Sequence, residues 1–400
     1  MSVIDQYTEQ QTGEIDWIAR ARELAPMILA AADRIEQNRQ VPDDIIASMH
    51  EAELFRMCLP RAYGGGQAHL LTVFEVMQII ASADASTAWC MGQSLGCSLS
   101  AGFLSPEGVH EIYDAPDAVV CWGAVNTTSR AVLTDGGLRV TGKWNFASGI
   151  GAATWLGAHI LLWEPDGEPH MDPRTGKQAI RTMIWPRGET TVTDVWQVIG
   201  LMGTGSNTYE VDDIFVPDRR IFIRDAASER KVDSPFTRIS LTQFYGTSFA
   251  GVALGIARTM LDDFIALARG KTASGTVGTL GENPMVQVQI AQAEARLRAS
   301  RAYLKEMIGE IWETAEAGVE FSLDQRARLR IASTHAIHEA REVAYYAYRA
   351  AGSTAILKSN PFERRFRDIN AAAQQIQGQP SNLEQAGQVF LGMDIVGNRL

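Results

Sequence analysis

Apolar residues in the first part of the chain recur three and four positions apart. Ile15, Ile18, Ala21, Leu24, Ile28, Ala31 and Ile35 make one stripe, the spacing that lines one face of an α-helix. Pro42-Asp43-Asp44 predicts a second helix carrying Ile45, Ile46, Met49 and Leu54. Proline fits a first helical turn, and the carboxylates suit its positive end. Pro60 and Gly64-Gly65-Gly66 break the chain, and Leu71, Phe74, Met77 and Ile80 predict a third helix. From residue 117 to 224 the period changes to two. Val119, Cys121 and Gly123 alternate, as do Leu138, Val140 and Gly142, with Gly136-Gly137 as a hairpin signal between runs. Residues 165–180 are polar and turn-rich and predict an exposed hairpin loop. Beyond 238 the helical period returns in Phe249, Val252, Ala253, Ile256, Met260, Leu261 and Phe264. Two further helices are expected over 285–317 and 323–351, with 272–283 as a linker. The expected class is α+β: an N-terminal helical domain (1–116), a central β-barrel-like domain (117–232) and a C-terminal four-helix bundle (233–400).

Composition narrows the function. A chain of 400 residues can bury a large core. Its net charge of −11 argues against nucleic acid as the main partner. Cys58, Cys90, Cys97 and Cys121 form no C-x-x-C pair and are expected as buried, reduced thiols of a cytoplasmic protein. The start, MSVIDQYTEQQTGE, has neither the basic nor the apolar region of a signal peptide, and Ala85–Leu104 is too rich in Ser, Gly and Cys to span a membrane.

Several chemistries lack their motif. There is no G-x-G-x-x-G after a strand, no Walker lysine motif and no G-x-S-x-G elbow. His335 and His338 share a helix face without matching carboxylates, so they read as a surface pair and no metal is expected. The chemistry is then expected to belong to a bound cofactor. Three segments could serve one. Gly142-Lys143-Trp144-Asn145-Phe146-Ala147-Ser148-Gly149 offers rings for a planar group and a small Ser-Gly pair for close backbone approach. Gly200–Pro217 joins a Gly-rich turn, Gly203-Thr204-Gly205-Ser206, to an alternating strand. Asn360–Asp368 places Arg364, Arg365 and Arg367 at a Pro-initiated helix, suited to a phosphate, a carboxylate or plain ion pairing.

In this order, and with the run Pro60-Arg61-Ala62-Tyr63-Gly64-Gly65 before them, these segments resemble the acyl-CoA dehydrogenase fold family over nearly the whole chain. The C-terminal run Ala351-Gly352-Ser353-Thr354 to Arg367-Asp368-Ile369 resembles its branch of two-component flavin-dependent monooxygenases. The resemblance implies a homotetramer and a cofactor, FMN or FAD, taken in reduced form from a separate flavin reductase. It implies reaction with O2 through a C4a-hydroperoxide, and an aromatic or heteroaromatic substrate such as a phenol, an indole or a sulfur heterocycle. Ser148 matches the serine that hydrogen-bonds flavin N5. Trp144 and Phe146 would hold the ring, Asn126, Thr127 and Thr128 would line it, and Thr204 and Ser206 would sit near the pyrophosphate or ribityl chain. Arg269 and Arg367 are the cations expected near phosphate, and Trp89, Cys97, Tyr245 and Gln375 are the expected substrate pocket.

This chain departs from the branch at two places: Cys97 and Gln375 stand where a histidine is frequent. A substrate that needs no strong base is therefore favoured. A FAD-dependent acyl-CoA dehydrogenase is the second reading. Its carboxylate base is missing at Phe244-Tyr245-Gly246, and Glu384 is the poorly matched substitute. A flavin-free binding or scaffold protein is the third.

Overall fold

The computed structural model describes residues 15–275 and 277–395. The first block holds α1 (Trp17–Ala30), α2 (Ala32–Asn38), α3 (Asp43–Glu51), α4 (Leu70–Ala83), α5 (Ala85–Ser98) and α6 (Pro106–Tyr113). The single stripe expected from Ile15 to Ile35 is two helices, divided at Ala31. Asp84 is extended and separates α4 from α5. Its carboxylate accepts the Thr87 N–H at 2.7 Å and so caps α5. Apart from Gln93, every residue of α5 is buried. Its small residues permit this: a Cβ on Gly92 would stand 2.7 Å from Met77, and one on Gly96 2.2 Å from the Tyr245 ring.

The middle block is one sheet of β1 (Val120–Trp122), β2 (Arg130–Thr134), β3 (Gly137–Ala147), β4 (Trp155–Trp163), β5 (Ile180–Pro186), β6 (Thr191–Thr193), β7 (Asn207–Pro217) and β8 (Ile221–Phe222). The order is β6-β7-β3-β2-β4-β5-β8, with β1 parallel to β4. The expected hairpin joins β2 to β3, and Gly136 takes the φ of 74° that the turn requires. Among the described residues no ladder joins β6 to β8, so the barrel-like sheet stays open. It still curls around a core of its own. Trp144, Trp185 and Tyr209, from β3, β5 and β7, meet there with ring centroids 5.2 to 6.4 Å apart.

The last block holds α7 (Leu241–Gly270), α8 (Pro284–Glu316), α9 (Leu323–Ala351), α10 (Pro361–Ala373) and α11 (Ser381–Phe390). Ser240 with Gln243, and Ser322 with Gln325, close reciprocal caps at the starts of α7 and α9. α7 lies between α4 and α9. One hydrophobic core therefore runs from Trp17 through Phe74 and Phe249 to Ile337. The two helical blocks, read from the chain as separate domains, share this core, while the sheet keeps its own. The four cysteines are free and buried.

The α4–α7 contact is close. A Cβ on Gly255 would lie 2.5 Å from the Gln78 carbonyl oxygen and 2.9 Å from Ala81. Gly255→Ala is expected to cost ~1–3 kcal/mol, seen as a lower urea midpoint. An unchanged midpoint would mean that the two helices part freely.

Candidate active site

The end of β3 is shaped by a break in its ladder with β7. Register shifts between Trp144 and Ala147, the mark of a bulge. Phe146 takes φ 63°, a left-handed conformation rare for an aromatic residue, and Ser148 N–H donates back to its carbonyl at 2.9 Å. The bulge points Phe146 outward, where it is 62 % exposed, and leaves Ser148 buried. Such strain persists only where the surroundings enforce it and gathers at functional sites.

Three parts of the chain meet at the Ser148 hydroxyl. Trp89 of α5 donates its indole N–H to Ser148 Oγ at 3.2 Å. Ser206, in the turn before β7, stands 2.7 Å away, oxygen to oxygen. Thr204 Oγ1 is 2.7 Å from Ser206 Oγ and donates to the Leu201 carbonyl at 2.8 Å. The backbone closes the same junction: Gly149 N–H donates to the Thr204 carbonyl at 2.9 Å. Thr204 and Ser206 are therefore linked to Ser148 through their hydroxyls.

An aromatic ladder continues from Trp89. Phe249 stacks on it with centroids 3.9 Å apart, and Tyr245 stacks on Phe249 at 5.2 Å. Cys97 Sγ is 3.9 Å from the Tyr245 hydroxyl, which donates to the Gln93 carbonyl. Trp89, Cys97 and Tyr245 are thus brought together as one group, and Phe249 joins them. In the chain its helical stripe marks Phe249 only as core. Burial pushes the Cys97 thiol and the Tyr245 phenol well up, so both stay protonated. Among the described residues no histidine bonds to Ser148, Cys97 or Tyr245. His338 donates to the Gly378 carbonyl, and His159, held neutral by burial, lies between Thr182 and Arg224.

Other expected site residues are placed differently. Trp144 is a correction. Strand alternation turns it inward, both Trp185 and Tyr209 contact it, and it presents no face as a flavin wall. Asn126 spends its side chain locally: Oδ1 accepts from Thr128 and Ser129, and Nδ2 donates to the Lys143 carbonyl. Thr127 is exposed. Thr128 borders a trough of about 650 Å3 across the outer face of β3 and β7. Gln375 turns its side-chain oxygen to Gln377 N–H, capping the turn after α10. Arg269 is exposed on the last turn of α7.

The arginine segment is also corrected, because carboxylates of the same chain claim it. Arg364 pairs with Asp33 and Glu36 of α2, and Arg365 with Asp263 of α7. Arg367 pairs with Glu36 at 2.6 Å and Glu363 at 2.8 Å, and donates to the Ile199 carbonyl. The segment is a clamp whose three arginines are all ion-paired within the chain. Beside it Asp368 accepts Leu201 N–H at 2.6 Å, tying α10 to the turn under Ser148.

The residues around Ser148 fit a flavin ring. Phe146 and Val125 are exposed, and the Ala124 N–H to Asn145 carbonyl bond puts their strand ends side by side. Trp196 meets Phe146 edge-to-face at 6.0 Å and is held by its indole N–H to the Leu201 carbonyl. An exposed apolar platform next to a buried hydroxyl suits a planar group with a polar edge.

Comparisons with known proteins show the family. Residues 16–107 match the acyl-CoA dehydrogenase N-terminal domain and residues 247–380 the acyl-CoA dehydrogenase C-terminal domain. The indole-3-acetate monooxygenase of Pseudomonas putida is 30 % identical over 91 % of this chain and 90 % of its own. The oxygenase component of an FADH2-dependent resorcinol hydroxylase from Rhizobium is 27 % identical over 90 % of each chain. The structure of Streptomyces XiaF with FADH2 and glycerol superposes with a TM-score of 0.90, at 22 % identity, over 99 % of this chain and 100 % of that one. The chain belongs to the acyl-CoA dehydrogenase fold family, in its branch of flavin-dependent monooxygenase oxygenase components. It is thus a flavin-dependent oxidoreductase. The dehydrogenase reading falls: the relatives are named as monooxygenases and hydroxylases, Phe244-Tyr245-Gly246 carries no carboxylate, and Glu384 is exposed on α11.

Asp368 faces a cavity of about 250 Å3, also bordered by Asp84, Lys358, Arg364 and Arg365. Burial, and then the Asp84 charge, raise its carboxyl to about 7. A carboxyl raised on folding binds its proton more tightly when folded, so the contribution of Asp368 to stability is full below about pH 4 and is lost as the pH rises to about 7. Asp368→Asn keeps an acceptor for Leu201 N–H and removes the ionisation. Its melting temperature is expected to exceed the parent's by a few degrees at pH 8, the gain vanishing near pH 4. An equal gain at both pH values would refute the assignment.

Proposed function

We propose that this chain is the oxygenase component of a two-component system that inserts oxygen into an aromatic or heteroaromatic small molecule. The observation that carries the reading is the buried Ser148 hydroxyl, set between an exposed apolar platform (Phe146, Val125, Trp196) and the ladder Trp89, Phe249 and Tyr245. Reduced flavin, when bound, supplies two electrons to O2, so that one oxygen atom passes to the substrate and the other leaves as water. Ser148 would hold the ring edge at N5 (a role carried by the family resemblance), and Phe146 and Trp196 would support the ring. The aromatic ladder excludes water from the reacting face.

The surroundings of Cys97 and Tyr245 favour an electron-rich ring over a substrate that must first lose a proton. Both groups stay protonated, and no imidazole bonds to them among the described residues. The similarity to an indole-3-acetate monooxygenase supports the same class. The electrons come from a separate reductase, as the similarity to an oxygenase component suggests. Met285, Val288, Phe390 and Leu391 are exposed on the last helical block and support burial in an oligomer, for which we propose a homotetramer. Among the described residues no helix is long and apolar enough to cross a membrane, and we place the enzyme in the cytoplasm.

The test mixes the protein with photoreduced FMN or FAD, isotopically labelled O2 and indole or a phenol. Product carrying one labelled oxygen is expected. Failure to label any ring, together with dye reduction driven by an acyl-CoA, overturns the reading. Ser148→Ala should divert most of the consumed O2 to hydrogen peroxide, a loss of coupling of about tenfold or more. Unchanged coupling removes Ser148 from the mechanism.

A further inference from the structure

The four-link chain at Ser148 has a direction. Trp89 Nε1 can only donate, so Ser148 Oγ accepts from it at 3.2 Å. At the other end the Leu201 carbonyl can only accept, and the Thr204 hydroxyl donates to it at 2.8 Å. A hydroxyl has one hydrogen, and that of Thr204 is spent. The 2.7 Å contact between Ser206 and Thr204 must then be a donation from Ser206. With the Ser206 hydrogen spent, the 2.7 Å contact between Ser148 and Ser206 must be a donation from Ser148. The order is indole N–H, Ser148, Ser206, Thr204, carbonyl. What remains free on Ser148 is a lone pair.

This bears on which flavin the site prefers, and it rests on the reading in which Ser148 meets flavin N5. Reduced isoalloxazine carries a hydrogen on N5, and oxidised isoalloxazine carries a lone pair there. We propose that Thr204 and Ser206 are positioning residues that orient the Ser148 hydroxyl as an acceptor, so that the site selects N5-protonated flavin over the oxidised form. A Ser148 lone pair meets N5–H as a hydrogen bond, and meets the oxidised N5 as lone pair against lone pair. Accommodating oxidised flavin requires reversing the relay, which sacrifices the Thr204 bond to Leu201. The Leu201 carbonyl keeps its other donors, Trp196 Nε1 and Thr204 N–H, so the penalty is about one hydrogen bond. That is roughly a tenfold difference in affinity.

The relay is also held from outside. Leu201 has φ 53°, and its N–H is anchored on Asp368 of α10, while Trp196, which fixes its carbonyl, is held in turn by Arg39 at 3.1 Å. The accepting end therefore keeps its place when a ligand arrives.

The test measures dissociation constants for photoreduced and oxidised FMN, anaerobically, in the parent, Thr204→Val, Ser206→Ala and Thr204→Ser. The parent is expected to bind the reduced form at least tenfold more tightly. Thr204→Val keeps the shape and removes the acceptor for Ser206, and Ser206→Ala releases the Ser148 hydrogen directly. In both, the reduced-to-oxidised preference should drop about tenfold, chiefly through tighter binding of oxidised flavin. Thr204→Ser restores the relay and should keep the parent ratio within twofold. A merely structural role would weaken both affinities together and leave the ratio unchanged. A parental ratio in both Thr204→Val and Ser206→Ala, or a parent that prefers oxidised flavin, overturns the relay while the oxygenase reading stands. A parent that binds neither form overturns both.

Discussion

The hydrogen bond from Trp89 to Ser148 holds the site together, because its two ends belong to different layers. Trp89 lies on a buried helix of the first block, and Ser148 at the bulged end of a strand in the second. The third block enters through Asp368, whose carboxyl anchors the turn carrying Thr204 and Ser206. No one block contains the hydroxyl's full environment. The shared helical core explains how the geometry stays fixed. α7 carries Phe249 and Tyr245 against α5 on one face and meets α9 on the other, so the aromatic ladder is part of the main core.

The sheet contributes differently. It has a second core of its own, centred on Trp144, Trp185 and Tyr209, while Val120, Trp122, Ile184 and Phe222 join it to the helical core. The bulge before Ala147 then converts one strand end into a site. Regular alternation across it would have sent Phe146 and Ser148 to the same face. The bulge instead exposes the ring and buries the hydroxyl, at the cost of a left-handed aromatic residue. This is a local conflict of the kind expected where function overrides packing.

The same fold supports dehydrogenation when a carboxylate faces the ring, and oxygenation when the site instead holds reduced flavin in a dry, weakly basic pocket. Here Tyr245 and Cys97 are kept neutral by burial, with Arg224 as a charged neighbour of both, and further ion pairs form the clamp between α2 and α10. Negative partners within the chain pair each of the three arginines. Glu36 sits close enough to pair with both Arg364 and Arg367.

Much was legible in the chain because it is locally encoded. The helix stripes, the caps, the Gly136 turn and the ordered motifs depend on neighbours a few residues apart. They were enough for the fold family, and they grouped Trp89 with Cys97 and Tyr245, which the structure brings together. What the chain by itself could not decide involves partners far away in sequence. Trp144 reads as a ring for a cofactor until Trp185 and Tyr209 cover it. Arg367 reads as a free cation until Glu36, from the other end of the chain, meets it. The single stripe from Ile15 to Ile35 hides the division at Ala31, since the two helices keep one buried face. Ser206 and Thr204 read as a turn sequence, and the direction of their hydroxyls depends on a carbonyl within that turn and on an indole from a distant helix. Periodicity and turn chemistry specify which elements form. Only their packing decides which polar atoms are left to bind a ligand, because a hydrogen bond is assigned by the partner that reaches it.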